Sequence, residues 1–113
     1  MKEVKAFIRC RKAEDVIATL EESSISDITL IDVMGLGQDL VNPDKAKYSI
    51  KCVNKYSEVA KVEIVCRDEE VHKIVETIQE KAYTGMKGDG MIYISPVEMA
   101  VKIRTGAVGE EAL

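Results

Sequence analysis

Apolar and polar residues alternate with period two over residues 3–10: Val4, Ala6, Ile8 and Cys10 point one way, Lys5, Phe7 and Arg9 the other. Period two puts alternate side chains on opposite faces of an extended chain, so the segment predicts a half-buried strand. The period then changes. Ala13, Val16, Ile17 and Leu20 recur at helical spacing, with Glu14 and Asp15 in the first turn, where the helix dipole favours acids, and Ser23-Ser24 at the close. A β-branched run from Ile28 to Met34, stopped by Gly35, predicts a second strand. Ala60, Val62, Ile64 and Cys66, alternating with Lys61, Glu63 and Val65, predict a third. Val71, Ile74, Val75, Ile78 and Ala82 form one apolar helical stripe, with Asp68 as its expected N-cap. A tight turn at Gly88-Asp89-Gly90 leads into a last short strand, Met91 to Ser95, ended by Pro96.

The order β-α-β, a long gap, then β-α-β predicts an α+β fold of the ferredoxin-like, split βαβ type, an antiparallel sheet with two helices on one face. A length of 113 residues sets a single domain, 1–113. Two features exceed a plain fold of this kind. Residues 36–58 form a polar connection with one proline and no helical stripe, and loops of that length in compact domains bind something or are disordered. Phe7, Ile31, Val33 and Val65 fall on the sheet face opposite the helices, and an apolar open face calls for burial against other subunits. Residues 97–113 follow the last strand as a tail.

Hydrophobic residues make up 46% and charged residues 32%, a globular balance that excludes wholesale disorder. The net charge of -4 argues against broad nucleic-acid binding, which needs a basic face, but leaves room for a local anion pocket. Three cysteines, Cys10, Cys52 and Cys66, show no C-x-x-C spacing, and Cys10 and Cys66 fall where a thiol serves as a small buried hydrophobe. The opening MKEVKAFIRC interleaves charges with apolar residues and so lacks the core of a signal peptide. No apolar run approaches the ~20 residues needed to cross a bilayer, so the expectation is a reduced, cytoplasmic domain without direct membrane insertion.

Candidate chemistry gathers in three places. Gly85, Gly88 and Gly90 fall within six residues, where backbone N–H groups can converge on an anion, with Lys87 adding a positive charge. Standing alone, a glycine-rich segment before a strand is ordinarily just a turn. Gly35-Leu36-Gly37, after the second strand, lets backbone approach a ligand closely. Lys102 and Arg104 share one face if their segment is extended; the plainer reading is a solvated basic edge. His72, the one histidine, lies on the polar side of the second helix, and no Ser-His-Asp, paired-carboxylate or His/Cys metal spacing is present. Nothing here points to an enzyme.

The C-terminal run closely resembles the signature of the PII signalling proteins. It comprises Gly85, Gly88-Asp89-Gly90, Ile92-Tyr93-Ile94-Ser95-Pro96-Val97-Glu98, Ala100-Val101-Lys102-Ile103-Arg104-Thr105-Gly106 and Gly109-Glu110-Glu111-Ala112-Leu113. Further matches are Met1-Lys2, Val4, Ala6, Ile8-Arg9, Thr29, Gly35, Gly37 and Lys61-Val62-Glu63-Ile64-Val65, so the likeness fails only in the long loop. It implies a ferredoxin-like fold assembled as a homotrimer with sheets facing inward. It also implies a regulator, not an enzyme, that senses adenine nucleotides (ADP, AMP or ATP) in clefts between subunits. Such a regulator controls a target protein, whether transporter, enzyme or transcription factor, through the loop at 36–58. On the same resemblance, Thr29, Glu63 and Val65 line the adenine and ribose. Gly35, Gly37 and Gln38 stand near the phosphates, Lys87, Gly88, Asp89 and Gly90 cradle them, and Lys102 and Arg104 reach them from a neighbouring chain.

Departures from the family pattern bear on ligand choice. Met91 stands where a lysine usually follows the Gly-Asp-Gly turn, and Lys102 replaces an arginine, trading a planar fork for a point charge, which Lys87 could offset. Asp39 occupies the place of a glutamine that serves Mg²⁺ and 2-oxoglutarate, a candidate Mg²⁺ ligand but a repulsive neighbour for a dicarboxylate; Val59 replaces a lysine. These changes predict lost 2-oxoglutarate sensing and a weakened preference for ATP. The loop is one residue longer than usual, and Tyr48 does not align clearly with the tyrosine modified in many bacterial members. Such divergence resembles PII-like branches with other targets, one of them linked to heavy-metal efflux. Two alternatives accompany this reading: slow ATP hydrolysis at the same cleft, and a metal-sensing or adaptor trimer using Cys52 and His72.

Overall fold

A computed structural model describes residues 1–25, 27–33 and 59–113, with the side chain of Val33 also outside the description. Gly35, Gly37, Gln38, Asp39, Tyr48 and Cys52, and the effector-loop assignment at 36–58, therefore lie outside the described residues.

The alternation of the first segment produces strand β1, Lys2–Arg9, with Val4, Ala6 and Ile8 buried. A short 3₁₀ turn, Cys10–Lys12, delivers the chain into helix α1, Ala13–Glu22, which buries Ala13, Val16 and Leu20. Ser24 ends the helix in the left-handed region at φ 67°. Strand β2 spans Ile28–Val33 and strand β3 spans Val59–Cys66. A second 3₁₀ turn, Asp68–Glu70, precedes helix α2, Val71–Ala82, whose stripe buries Ile74, Ile78 and Ala82. Strand β4 is Met91–Pro96.

The sheet order is β2-β3-β1-β4, and every neighbouring pair is antiparallel. Each half contributes two strands joined by a helix, and a strand of the other half lies between them. This is the ferredoxin-like α+β arrangement expected from the sequence. Leu20, Ile74, Ile78, Val4, Val16 and Val62 are the largest fully buried side chains, where the inward faces of β1 and β3 meet the two helices. Burying each contributes about 1.5–3 kcal/mol.

The opposite face of the sheet has no layer over it among the described residues. Phe7, Ile31 and Val65 stand there as expected, joined by Met91 and Tyr93. Phe7 and Tyr93 meet edge to face at 6.0 Å between centroids, and the Lys61 ammonium sits 5.6 Å from the Phe7 ring centre.

Three local expectations are corrected. Cys10 is exposed, because β1 stops at Arg9, its last residue paired with β3, and the 3₁₀ turn breaks the alternation that would have buried it. Cys66 keeps the expected role: it is buried, and burial pushes its thiol pKa up. Asp68 is not the helix N-cap. It lies inside the 3₁₀ turn, and since Lys2 pairs with Cys66, its carboxylate meets the Met1 amino group at 3.1 Å and Lys2 at 3.7 Å. The hydrogen bond from Met1 holds the Asp68 carboxyl below its usual range. The capping contact comes from Glu70, whose carboxylate accepts the Arg67 N–H at 2.8 Å. Lys102 and Arg104 do not lie on an extended segment: Val101 bridges Val108, and the chain between them folds into a tight turn closed by Gly106 N–H to Lys102 O at 2.7 Å.

Candidate functional site

The end of the sheet where β1 finishes collects most of the candidate chemistry. β1 pairs with β4 from Lys2 opposite Pro96 to Phe7 opposite Met91. Continued by two residues, that register sets Arg9 opposite Asp89, so opposite charges face each other where the ladder opens into the 83–90 turn. Arg9 Nε donates to Asp89 Oδ1 at 3.2 Å, and Arg9 Nη2 donates to the Lys87 carbonyl at 2.8 Å.

Asp89 is the hub of the turn. Its carboxylate accepts the N–H of Thr84 at 2.8 Å and of Gly85 at 2.9 Å, and the Thr84 hydroxyl also donates to it. The same hydroxyl accepts the Met86 N–H at 3.2 Å. Hydrogen bonds from the Thr84 side chain and backbone, then from Gly85 and Arg9, hold the Asp89 carboxyl well below the usual carboxylate range. The first anion that this glycine-rich segment cradles is thus its own aspartate.

The glycines have distinct local duties. Gly88 and Gly90 adopt φ of 102° and 108°, a region that L side chains avoid. A Cβ at Gly90 would stand 1.7 Å from the Phe7 carbonyl oxygen, so the turn enters β4 by pressing directly on the β1 backbone. A Cβ at Gly88 would stand 3.2 Å from Arg9 Nη2, where the guanidinium lies against the turn. The turn borders an open cleft of about 390 Å³, whose lining includes Ile8, Ile78, Tyr83, Asp89, Gly90 and Met91.

A second group of predicted residues sits elsewhere on the sheet. Thr29 pairs with Glu63 across β2 and β3, and Lys5 pairs with Glu63 from the other side. Glu63 also forms an ion pair with Lys61, and Val65 lies two residues on, half-exposed. Glu63 is four residues along and two strands across from the level of Asp89, roughly 16 Å away. The third group, Lys102 and Arg104, lies beyond the opposite end of β4, where Val97 N–H bonds Met1 O at 3.1 Å. β4 itself spans roughly 20 Å. The structure thus brings Lys87, Gly88, Asp89 and Gly90 together, and Thr29 with Glu63. Within one chain it does not bring these groups to each other or to Lys102 and Arg104.

Arg9 and Thr84 are the residues that sequence reasoning assigned no role. The signal for Arg9 is the β1–β4 register, whose continuation beyond its last pair, Phe7 with Met91, sets it level with Asp89. His72 is exposed and pairs with Glu76 at 3.0 Å, one helical turn on. Among the described residues, no group of three or more His, Cys, Asp and Glu side chains gathers as a metal site. No helix among the described residues is long and apolar enough to cross a membrane.

A family model described as Nitrogen regulatory protein P-II matches residues 1–107. Over 116 aligned positions the chain is 39% identical to nitrogen regulatory protein P-II of Pyropia yezoensis, covering all of both chains. It is 40% identical to nitrogen regulatory protein P-II 2 of Methanothermobacter thermautotrophicus, covering all of this chain and 97% of that one. With nitrogen regulatory protein P-II of Azospirillum brasilense it shares 35% identity, again over the whole of both. The ferredoxin-like sheet and helices accord with these matches, and the chain belongs to the nitrogen regulatory protein P-II family of signalling regulators.

Proposed function

We propose that the chain works as a cytoplasmic homotrimer that binds adenine nucleotides in clefts between neighbouring subunits and controls a target protein through the loop at 36–58. The observation that carries this reading is the separation of the three candidate groups within one chain. Glu63 stands roughly 16 Å from the level of Asp89, with Thr29 one strand farther across and Val65 two residues farther along, and Lys102 and Arg104 lie past the far end of β4. A site that uses all three needs more than one copy. The uncovered face carrying Phe7, Ile31, Val65 and Tyr93 supports an assembly that buries it.

The anchors of the loop also favour an effector role. Val33 pairs with Val59, and Val59 with Arg9, so both anchors of the loop lie at the end of the sheet that holds the 83–90 turn. A ligand on that turn would lie at the same end of the sheet as the loop's anchors, Val33 and Val59, and so bias the loop's population of conformers.

Met91 and Lys102 weaken the offset for added phosphate charge, while Asp39 and Val59 remove support for 2-oxoglutarate. Calorimetric titration with AMP, ADP and ATP, each with and without 2-oxoglutarate and Mg²⁺, tests this. The expected result is adenine-nucleotide binding in which ADP or AMP competes well with ATP and 2-oxoglutarate adds nothing. Strong ATP preference enhanced by 2-oxoglutarate overturns the ligand choice; no nucleotide binding overturns the reading. Light scattering that shows a monodisperse monomer at micromolar concentration defeats the trimer.

A further inference from the structure

Asp89 places a full negative charge inside the turn that is to receive phosphates. A carboxylate there repels a polyphosphate unless something cancels it. The Thr84 and Gly85 donors are neutral and can only spread that charge. Arg9 brings a compensating charge, and it comes from a different strand.

We propose that Arg9 is a positioning residue for the nucleotide site, holding the 84–90 turn in its binding shape and cancelling the Asp89 charge, without being a phosphate ligand itself. This rests on the reading that the turn receives a nucleotide. Three observations carry it. The β1–β4 register, continued two residues past its last pair, Phe7 with Met91, sets Arg9 level with Asp89. The guanidinium reaches two points of the turn at once, Asp89 Oδ1 at 3.2 Å and Lys87 O at 2.8 Å. Its Nη2 also lies where a Gly88 Cβ would come within 3.2 Å, so it packs on the turn backbone. The planar fork makes the two contacts from different nitrogens, Nε and Nη2, in one fixed geometry. The side chains of Arg9 and Asp89 are only 26% and 25% exposed, so water screens the pair less than it would at an open surface.

The role predicts a dependence on ligand charge. Without Arg9, the carboxylate keeps its charge and can still accept from Thr84 and Gly85, but the turn has lost its anchor to β1, so it opens more often and repels phosphate. The penalty then grows with each phosphate. Arg9→Gln should weaken ATP binding about tenfold, ADP less, and AMP about twofold. In the double variant with Asp89→Asn, the repelling charge is gone. The asparagine carbonyl still accepts from Thr84 and Gly85, while its amide reaches the introduced glutamine. Most of the ATP affinity should return.

The test is calorimetry on wild type, Arg9→Gln, Asp89→Asn and the double variant with AMP, ADP and ATP, joined to amide hydrogen exchange on the ligand-free proteins. In Arg9→Gln, the Thr84 and Gly85 amides should exchange about tenfold faster. Three results overturn the proposal: equal weakening for all three nucleotides, unchanged exchange at Thr84 and Gly85, or a double variant no better than Arg9→Gln, which would make Arg9 a direct ligand. Wild-type protein that binds no nucleotide defeats the functional reading instead, and the exchange measurement then decides alone whether Arg9 holds the turn.

Discussion

The turn at 83–90 and the turn at 101–108 both carry a lysine, both use glycine at positive φ, and the family resemblance nominates both for phosphate. They are held differently. The first is gripped from outside: Arg9 on β1 bonds Asp89 and Lys87, and Gly90 presses on the Phe7 carbonyl. The second is held by its own chain, through Lys102 N–H to Ala107 O at 2.9 Å, Gly106 N–H to Lys102 O at 2.7 Å, and the Thr105 hydroxyl accepting from Ala107 at 3.3 Å. Ile103 at its tip is fully exposed, and a Cβ at Gly106 would meet nothing within 4 Å. A preshaped turn can present donors without reorganising, whereas a self-contained one can adapt to whatever surface it meets. The same residue types thus give a turn anchored to a neighbouring strand in one place and a turn closed on itself in the other.

The largest effect should come from Gly90→Ala. The new methyl would meet Phe7 O at 1.7 Å and Phe7 C at 2.8 Å, and both are backbone of a central strand that cannot retreat without opening the β1–β4 ladder. With the cost of φ at 108°, the loss should reach about 3 kcal/mol or more, a fall in Tm of about 10 °C or more for a domain of this size. Thermal unfolding followed by circular dichroism measures it. A Tm within about 2 °C of wild type would mean that β4 enters the sheet less tightly than the contact implies.

Acid should separate the two turns next. The Asp89 carboxyl titrates below its unfolded value, so the stability it lends is complete above about pH 4 and is lost as pH falls through the lower folded value. Protection of the Thr84 and Gly85 amides should therefore hold from neutrality to about pH 4 and drop only in stronger acid. Lys102 and Gly106 donate to backbone carbonyls and should show no matching loss. Exchange protection measured across this range, corrected for intrinsic rates, decides the point. Parallel loss in both turns would indicate global acid unfolding instead of titration at Asp89.

Thr84→Val probes a single corner of the cradle. The change keeps the β-branched shape but removes the hydroxyl that donates to Asp89 and accepts from Met86. The Met86 amide should exchange about fivefold faster, with little change at Lys102. An unchanged Met86 rate would show that Thr84 contributes through its backbone alone.

What was legible in the sequence follows from how local each signal is. The alternation in β1 and β3 and the stripe in α2 report burial directly, because strand and helix periods decide which side chains share a face. The predicted pairing of halves followed from element order. The failures needed tertiary knowledge. Cys10 continued the alternation, but its strand had run out of partner. Asp68 had the composition of an N-cap, yet it was drawn to Met1 by the β1–β3 register. Lys102 and Arg104 share a face only on an extended segment, and no periodicity marks the turn that a backbone bridge closes there. The alternation places Arg9 on the outward side of a half-buried strand, and the family match at Ile8-Arg9 gives it no partner. Its partner lies 80 residues away, and only the β1–β4 register reveals it.

The smallest effect should come from Gly106→Ala, the counterpart of the first substitution. Gly106 also sits in the left-handed region, at φ 74°, so an alanine there carries backbone strain. That strain amounts to about 1 kcal/mol, and nothing stands within 4 Å of the added methyl to increase it. The bonds that close the tail turn, Lys102 N–H to Ala107 O, Gly106 N–H to Lys102 O and Gly109 N–H to Ala100 O, run within residues 100–109, so the strain can be relieved by local opening without unfolding the sheet. Tm should fall by no more than about 3 °C, while the Lys102 and Gly106 amides lose protection first. If Gly106→Ala lowered Tm as far as Gly90→Ala, the 101–108 turn would have to be packed against something that one chain does not supply, such as a neighbouring subunit, and the contrast between an anchored turn and a free one would hold only for the isolated protomer.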